Sequence, residues 1–339
     1  MKANVYKTAN IALQIALFIV AYGVIYKELF HKRDLVQIGN TMMQLLQSPN
    51  WLWLLVQIML LFIVNWGIEA QKWRYLISRF ENVSFGFSVR AVFAGVMVSL
   101  FTPNRTGEFL GRVLLLKELP RIKGILITIV GSIGQLLSTV LTGSIALLFF
   151  LPYLFNTAGE LWGWLYGGII IATLALNLLF VLIYLNVSVI GSWGRSLIKP
   201  RWKKIQQHSA VFSSFSSKQL MIVLLFSGLR VVAYTVQFFL LIQAFNIPLS
   251  WLQAMMVIPV LFLVMTIIPT IAITELGIRG SAAIYLMGLV IAGSEPMPDQ
   301  YALSIVSAST LLWLINRGIP ALLGTLFIFQ FRFFRKKDG

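Results

Sequence analysis

The chain has 339 residues, of which 58% are hydrophobic and only 11% are charged, and its mean hydropathy of +0.85 excludes an ordinary soluble domain. The net charge of +16 would suggest a nucleic-acid ligand in a soluble protein. Here, however, Lys and Arg gather in short connections beside apolar runs, which is the positive-inside pattern of membrane proteins, so we predict no nucleic-acid partner.

Apolar runs long enough to cross a hydrocarbon core of about 30 Å follow one another along nearly the whole chain. In the first half, about 1–185, we predict spans at 10–26, 51–70, 124–150 and from Trp162 onward. The first run is predicted to be a retained span, because no small-residue cleavage site follows it. The basic residues after the second span predict that this side, and therefore the N-terminus, is cytoplasmic: Lys72, Arg74 and Arg79.

The second half, 219–339, follows a basic loop at 186–218 that we predict to be cytoplasmic. Spans are predicted at 219–245 and 301–331, and the last one ends in a basic cluster. Both termini are therefore predicted to be cytoplasmic.

Two further apolar segments, 85–119 and 251–293, begin and end on the same side of the membrane by the charges that flank them. Each is therefore predicted to be a re-entrant or broken-helix hairpin, the first entering from the cytoplasm and the second from outside. The predicted fold is an all-α polytopic membrane protein, one domain over 1–339, with about eight hydrophobic helices and two inverted hairpins.

Both hairpins contain the same pattern of proline, small polar residues and then Glu-x-x-x-Arg. The two copies, each with a nearby glycine, are Pro103, Gly107, Glu108 and Arg112, and Pro269, Glu275, Gly277 and Arg279. Proline and glycine break a helix, and the freed amides attract anions. Glu and Arg four residues apart can pair. Two ion pairs that merely hold broken helices together are one interpretation, but their recurrence in both halves favours a binding site.

Other charged residues fall at a similar depth in the apolar runs: Glu69, Arg90, Arg105, Arg230 and Arg317. With the two motifs they make six arginines against three glutamates, so a net positive interior is predicted. Guanidinium groups grip phosphate through a planar fork of donors, which favours an anionic, phosphorylated ligand. For Arg90 and Arg230, a side chain that reaches the cytoplasmic interface is the simpler explanation.

The sequence offers few groups for cofactor chemistry. It has no cysteine, and its two histidines, His31 and His208, lie in polar connections. It carries neither a Walker loop nor a nucleophile elbow. We therefore predict no metal, no cofactor and no catalytic residues.

Four segments together carry a family resemblance: Lys72-Trp73-Arg74, residues 102–108 with Arg112, Arg230 with Tyr234, and Pro269 with 275–279. In these segments the chain resembles the flippase-like transmembrane region of bacterial lysylphosphatidylglycerol synthases and its stand-alone relatives, over nearly its whole length. The resemblance implies a domain that moves a phospholipid between leaflets, the best-known substrate class being aminoacylated phosphatidylglycerol. The synthases' soluble aminoacyl-transferring domain has no counterpart here, so synthesis of such a lipid is not expected.

We predict a lipid transporter and not an enzyme, which translocates an anionic phospholipid or lipid-linked phosphate and has membrane lipids as its partners. Arg112 and Arg279 would hold the phosphate, while Glu108 and Glu275 would orient them in the empty state. A competing hypothesis is a membrane-embedded enzyme with those two glutamates as acid and base, or an accessory subunit of a lipid-modifying transferase. A third is a secondary transporter for a small soluble anion.

Overall fold

The computed structural model describes residues 49–102, 105–155, 160–189, 211–269, 272–293 and 297–331, with a few isolated positions before residue 49. Within these ranges the regular secondary structure is helical, without strands. Three sequence predictions fall outside the described residues: the span at 10–26, most of the loop at 186–218, and the break at Pro103.

The helices are numbered in chain order over the described ranges. They are α1 (Trp51–Ile77), α2 (Phe85–Ser99), α3 (Gly107–Val113), α4 (Arg121–Leu154), α5 (Glu160–Leu185), α6 (Ser217–Ala244), α7 (Trp251–Ile267), α8 (Ala272–Ile291), α9 (Asp299–Trp313) and α10 (Ile319–Thr325). A π-helical turn, Leu314–Gly318, joins α9 to α10.

Six of these helical stretches are long and apolar enough to cross a membrane: α1, α4, α5, α6, α8, and α9 continued through α10. The helices α2 and α7 are apolar but shorter. The all-α polytopic membrane fold predicted from the sequence is therefore confirmed.

Two predicted boundaries were wrong. The helix predicted at 51–70 continues to Ile77, so Lys72 and Trp73 lie inside it and are each 1% exposed, rather than in a polar connection. The interruption after Pro269 is shorter than predicted, because α8 begins at Ala272. Gly277 therefore lies within a helix and does not break one.

The two halves repeat the same packing pattern. Helix α2 packs on α3 and α10, and α7 packs in the same way on α8 and α4. Helix α1 begins at Trp51 and α6 at Ser217, while α2 begins at Phe85 and α7 at Trp251. The number of residues between the two starts is the same in both pairs. This constant spacing, together with the two Glu-x-x-x-Arg copies, indicates a duplicated unit.

The helices α1 and α6, which occupy equivalent places in the two units, run antiparallel. The Gln237 side-chain amide donates to the Ile58 carbonyl at 3.1 Å, and near the opposite ends of the same helices Arg79 donates to Gln219 at 2.6 Å. Residue numbers thus rise along α1 as they fall along α6. A two-fold axis that exchanges two antiparallel helices is perpendicular to them, so it relates the two units in opposite orientations. This relation supports the predicted inversion of the two hairpins.

Two matching glycine contacts hold the short helices in place. Phe93 is the ninth residue of α2 and Pro259 is the ninth residue of α7. A Cβ on Gly324 would lie 2.3 Å from the Phe93 carbonyl oxygen, and one on Gly143 would lie 2.9 Å from the Pro259 carbonyl oxygen. The backbone of each short helix therefore packs directly against a glycine of the other unit. A side chain at that glycine would prevent this close approach.

Substituting Gly324 with alanine should lower the apparent Tm of the detergent-solubilised protein, because the new methyl group meets immobile backbone and overpacking costs about 1–3 kcal/mol. The matched control is Gly228→Ala, since a Cβ at Gly228 meets nothing within 4 Å. Alanine is the better helix former by about 1 kcal/mol, so the control should be neutral or stabilising. Equal apparent Tm values for the two variants would contradict the contact.

Candidate functional site

Glycine contacts position the first motif against the core of the bundle. A Cβ on Gly111 would lie 2.7 Å from the Gly95 Cα atom, and one on Gly107 would lie 2.6 Å from the Val98 carbonyl oxygen. Gly107 is also the first residue of α3. This position agrees with its prediction as part of the helix-breaking motif. The short helix α3 thus lies in backbone contact with α2, and this contact fixes Glu108 and Arg112 beside α1.

Glu69 of α1 is the centre of a buried charged network. Its side chain is 5% exposed and pairs with Lys72 at 2.8 Å, with Arg112 at 2.7 Å, and with Arg230 of α6. Arg112 also pairs with Glu108, four residues earlier in α3, as the sequence predicted. These five residues are called the Glu69 cluster, and they join α1, α3 and α6 through one carboxylate.

Uncharged amides surround the Glu69 cluster. Arg230 donates to the side-chain oxygens of Asn65 at 3.0 Å and Gln135 at 3.1 Å. Asn65 in turn donates to Asn316 of the π-helical turn, and Asn316 donates to Gln237 at 2.7 Å. This ladder of buried hydrogen bonds links both halves and holds the Arg230 guanidinium away from the surface.

The second motif forms a smaller group, called the Glu275 cluster. Glu275 pairs with Arg279 of the same helix, again four residues apart as predicted, and with Arg105 at 2.5 Å. The side chains of Glu275 and Arg279 are 4% and 9% exposed, whereas that of Arg105 is 40% exposed. Arg105 belongs to the first hairpin and has a left-handed backbone with φ of 61°. Its guanidinium therefore bridges the two hairpins, and it is the most accessible cation of the site.

The two clusters contain every charged residue of the predicted site except Arg317. Arg230 was wrongly interpreted as reaching the interface, since it is buried against Glu69 and lies 5.4 Å from the Trp66 ring centroid. Arg317 is half-buried in the π-helical turn and belongs to neither cluster as described. Arg90 is partly exposed and likewise belongs to neither cluster. Pro269 is exposed in the short break between α7 and α8.

The two clusters contain more positive than negative charge. Five cations, Lys72, Arg105, Arg112, Arg230 and Arg279, face three carboxylates, Glu69, Glu108 and Glu275. All three carboxylates are engaged by guanidinium groups. In each motif arginine the Nε atom is buried without a hydrogen-bond partner among the described residues. A buried donor without an acceptor is costly, so this arrangement favours an added anion.

Glu81 is a structural residue that the sequence analysis missed. Its carboxylate is 7% exposed and accepts hydrogen bonds from three successive backbone amides, Lys117 at 2.9 Å, Glu118 at 3.0 Å and Leu119 at 2.8 Å. It therefore ties the end of the first hairpin to the connection that precedes α2. In the sequence it looks like an ordinary solvated loop charge, and no signal there distinguishes it.

We expect Glu81→Ala to free these three amides and to accelerate their hydrogen exchange. Hydrogen bonds to a charged group contribute about 1.5–3 kcal/mol each, so exchange at 117–119 should rise at least tenfold. Hydrogen-exchange mass spectrometry of the detergent-solubilised protein measures this, with Glu118→Ala as the control because that side chain is exposed. Unchanged protection at 117–119 in Glu81→Ala would show that the Glu81 carboxylate does not hold these three amides.

The described residues contain no group of three or more His, Cys, Asp or Glu side chains that could hold a metal ion. The two clusters and the residues around them present guanidinium, ammonium, carboxylate and amide groups. Such groups bind and orient a charged ligand through hydrogen bonds.

The family model of the lysylphosphatidylglycerol synthase TM region matches residues 11–334. The chain belongs to this family. Membership confirms the resemblance read from the motif residues and connects this membrane protein with lipid metabolism. No curated protein and no solved structure gives a significant match.

Proposed function

We propose that this member of the lysylphosphatidylglycerol synthase TM family moves an anionic phospholipid or lipid-linked phosphate between the leaflets. The observation that carries the proposal is the excess of positive charge in the two clusters, five cations against three carboxylates. In addition, the Nε donors of Arg112 and Arg279 are buried without a hydrogen-bond partner among the described residues. A phosphate offers several acceptor oxygens and the missing negative charge, and arginine binds it through two parallel hydrogen bonds.

The accessible part of the site indicates how the head group is received. Arg105 is the most exposed of the cluster cations, and it shares Glu275 with Arg279. In the proposed mechanism a phosphate binds between these two arginines and releases Arg105 from Glu275. Because Arg105 belongs to the first hairpin and Glu275 to the second, the same event loosens the contact between the hairpins. Inverted repeats that separate at a central site expose it alternately to the two sides.

The proposed setting is the bacterial inner membrane, with cytoplasmic termini as the basic connections predict. We propose transport rather than catalysis because each carboxylate that could serve as acid or base is already bound by guanidinium. Membrane lipids are the proposed partners. A lipid-modifying transferase that supplies the lipid is the alternative partner, and it would make this chain an accessory subunit.

The test is leaflet exchange in proteoliposomes that contain tail-labelled fluorescent lipids. Phosphatidic acid and phosphatidylglycerol should exchange at least tenfold faster with protein than without it, and phosphatidylcholine should exchange much more slowly. Equal acceleration of all three lipids would indicate a nonspecific scramblase. No acceleration of any lipid, together with a new lipid product by mass spectrometry, would support the enzyme alternative instead.

A further inference from the structure

A cavity of about 680 Å³ lies between α4, α6 and α7, apart from both charged clusters. This volume falls in the range of about 300–1,000 Å³ that is usual for small-molecule sites. Its floor contains Ala146, Val231 and Pro259, which are buried, and its rim contains Val232 and Leu252, which are 57% and 79% exposed. The cavity therefore opens sideways between apolar helices rather than into the charged interior.

Three of the polar side chains in the cavity wall already form hydrogen bonds within or next to their own helices. The Thr142 hydroxyl donates to the Ser138 carbonyl at 2.9 Å, and the Thr235 hydroxyl donates to the Val231 carbonyl at 2.8 Å. The Gln253 side chain accepts from the Ser250 amide at the start of α7. The wall thus presents hydrocarbon, and an apolar ligand fits it without loss of a hydrogen bond.

Comparison of the two units explains why the cavity exists on this side. The sixteenth residue of α1 is Trp66, and the equivalent residue of α6 is Val232. The ninth residue of α2 is Phe93, and the equivalent residue of α7 is Pro259. In the first unit the two rings pack edge to face, with centroids 5.7 Å apart. In the second unit the smaller side chains leave the corresponding space open.

One turn of α6 connects this cavity with the charged site. Arg230 pairs with Glu69, and the next two residues, Val231 and Val232, line the cavity. The cavity therefore borders the part of α6 that contributes Arg230 to the Glu69 cluster.

We propose that this cavity is a binding site for one hydrocarbon chain of a membrane lipid. The further identification of that chain as the tail of the transported lipid rests on the proposed function. The occupant is a lipid chain because the opening lies among exposed apolar residues of the apolar helices α4, α6 and α7, and because no polar side-chain atom of the wall is buried without a hydrogen-bond partner that a polar ligand would supply.

Photo-crosslinking tests the site directly. The protein is reconstituted into phosphatidylglycerol vesicles doped with phosphatidylglycerol that carries a diazirine in mid-chain, and the crosslinked residues are mapped by mass spectrometry. Crosslinks should concentrate at Val232, Met255 and Met256, at least fivefold above the outer residues Leu174 and Leu178 of α5, which are 52% and 60% exposed. Equal labelling of the cavity and of α5 would show only surrounding bulk lipid and would overturn the proposal.

A pair of tryptophan variants sharpens the result. Val232→Trp introduces at the equivalent position the large side chain that Trp66 has in the first unit. The indole should fill the cavity and remove most cavity crosslinks. Leu229→Trp is the matched control, since Leu229 is 55% exposed on the same helix but lies outside the cavity. Persistent crosslinks in Val232→Trp would overturn the site. Concentrated crosslinks in a protein without leaflet exchange would refute the transport proposal while leaving the chain-binding site intact.

Discussion

Replacement of Glu69 by glutamine should destabilise the protein more than any other single change in the charged site. The Glu69 carboxylate neutralises three cations, Lys72, Arg112 and Arg230, and its side chain is 5% exposed. Glutamine keeps the shape but leaves these cations facing one another in a water-poor interior. Removal of one member of a buried charge network typically costs about 3–5 kcal/mol.

At roughly 2–4 °C per kcal/mol for a chain of this size, the apparent Tm of Glu69→Gln should fall by about 10 °C. Differential scanning fluorimetry in one detergent measures the change, and Glu118→Gln is the control because that carboxylate is exposed. If Glu69→Gln melted within about 2 °C of the unchanged protein, the cations would have other partners, and the Glu69 cluster would not organise the interior.

The second large effect is expected at Arg279, and it concerns transport rather than stability. Arg279→Ala removes a buried guanidinium but leaves Glu275 paired with Arg105, so the hairpins stay in contact. Loss of a hydrogen bond to a charged ligand costs about 1.5–3 kcal/mol, which corresponds to a decrease of about ten- to a hundredfold in phosphatidic acid exchange. Arg279→Lys keeps the charge without the planar fork and should give an intermediate rate.

Arg79 provides the control for this experiment, because it is exposed at the end of α1 and bonds to Gln219 away from both clusters. Arg79→Ala should exchange lipid at the rate of the unchanged protein. A loss of exchange in Arg279→Ala with a large fall in apparent Tm would indicate a structural role instead. Full exchange by Arg279→Ala would exclude Arg279 from the lipid site.

Much of the fold follows from local properties of the sequence. Long apolar runs identify the spans, because a helix satisfies its own backbone hydrogen bonds in lipid. The pairing of Glu108 with Arg112 follows from their spacing, since residues four apart share a helical face. The same reasoning identified the pair in the second motif.

Other features depend on contacts between distant segments and could not be predicted in this way. Lys72 lies near a polar stretch and looks like a positive-inside residue, yet Glu69 and the Ser227 hydroxyl of α6 hold it inside. Arg230 has the same ambiguity in the sequence, although the structure places it near the middle of α6. Only the antiparallel packing of α1 against α6 decides between a buried and an interfacial position for these two cations.

The amide ladder was missed for a different reason. Asn65, Gln237 and Asn316 are single polar residues in apolar runs, and a single polar residue can face a neighbour or another helix. Their pairing across the two units is a tertiary property. A sequence signal does exist in hindsight, because an uncharged amide in the middle of a membrane span is costly unless it has a partner.

The most direct test of the central claim is head-group binding by the paired arginines. Native mass spectrometry of the detergent-solubilised protein with added phosphatidic acid or phosphatidylcholine measures it. Selective retention of phosphatidic acid is expected, reduced at least tenfold in the Arg105→Gln and Arg279→Gln double variant but unchanged in Arg79→Gln. If the double variant retained phosphatidic acid as well as the unchanged protein does, the guanidinium excess between the hairpins would not be the lipid-phosphate site.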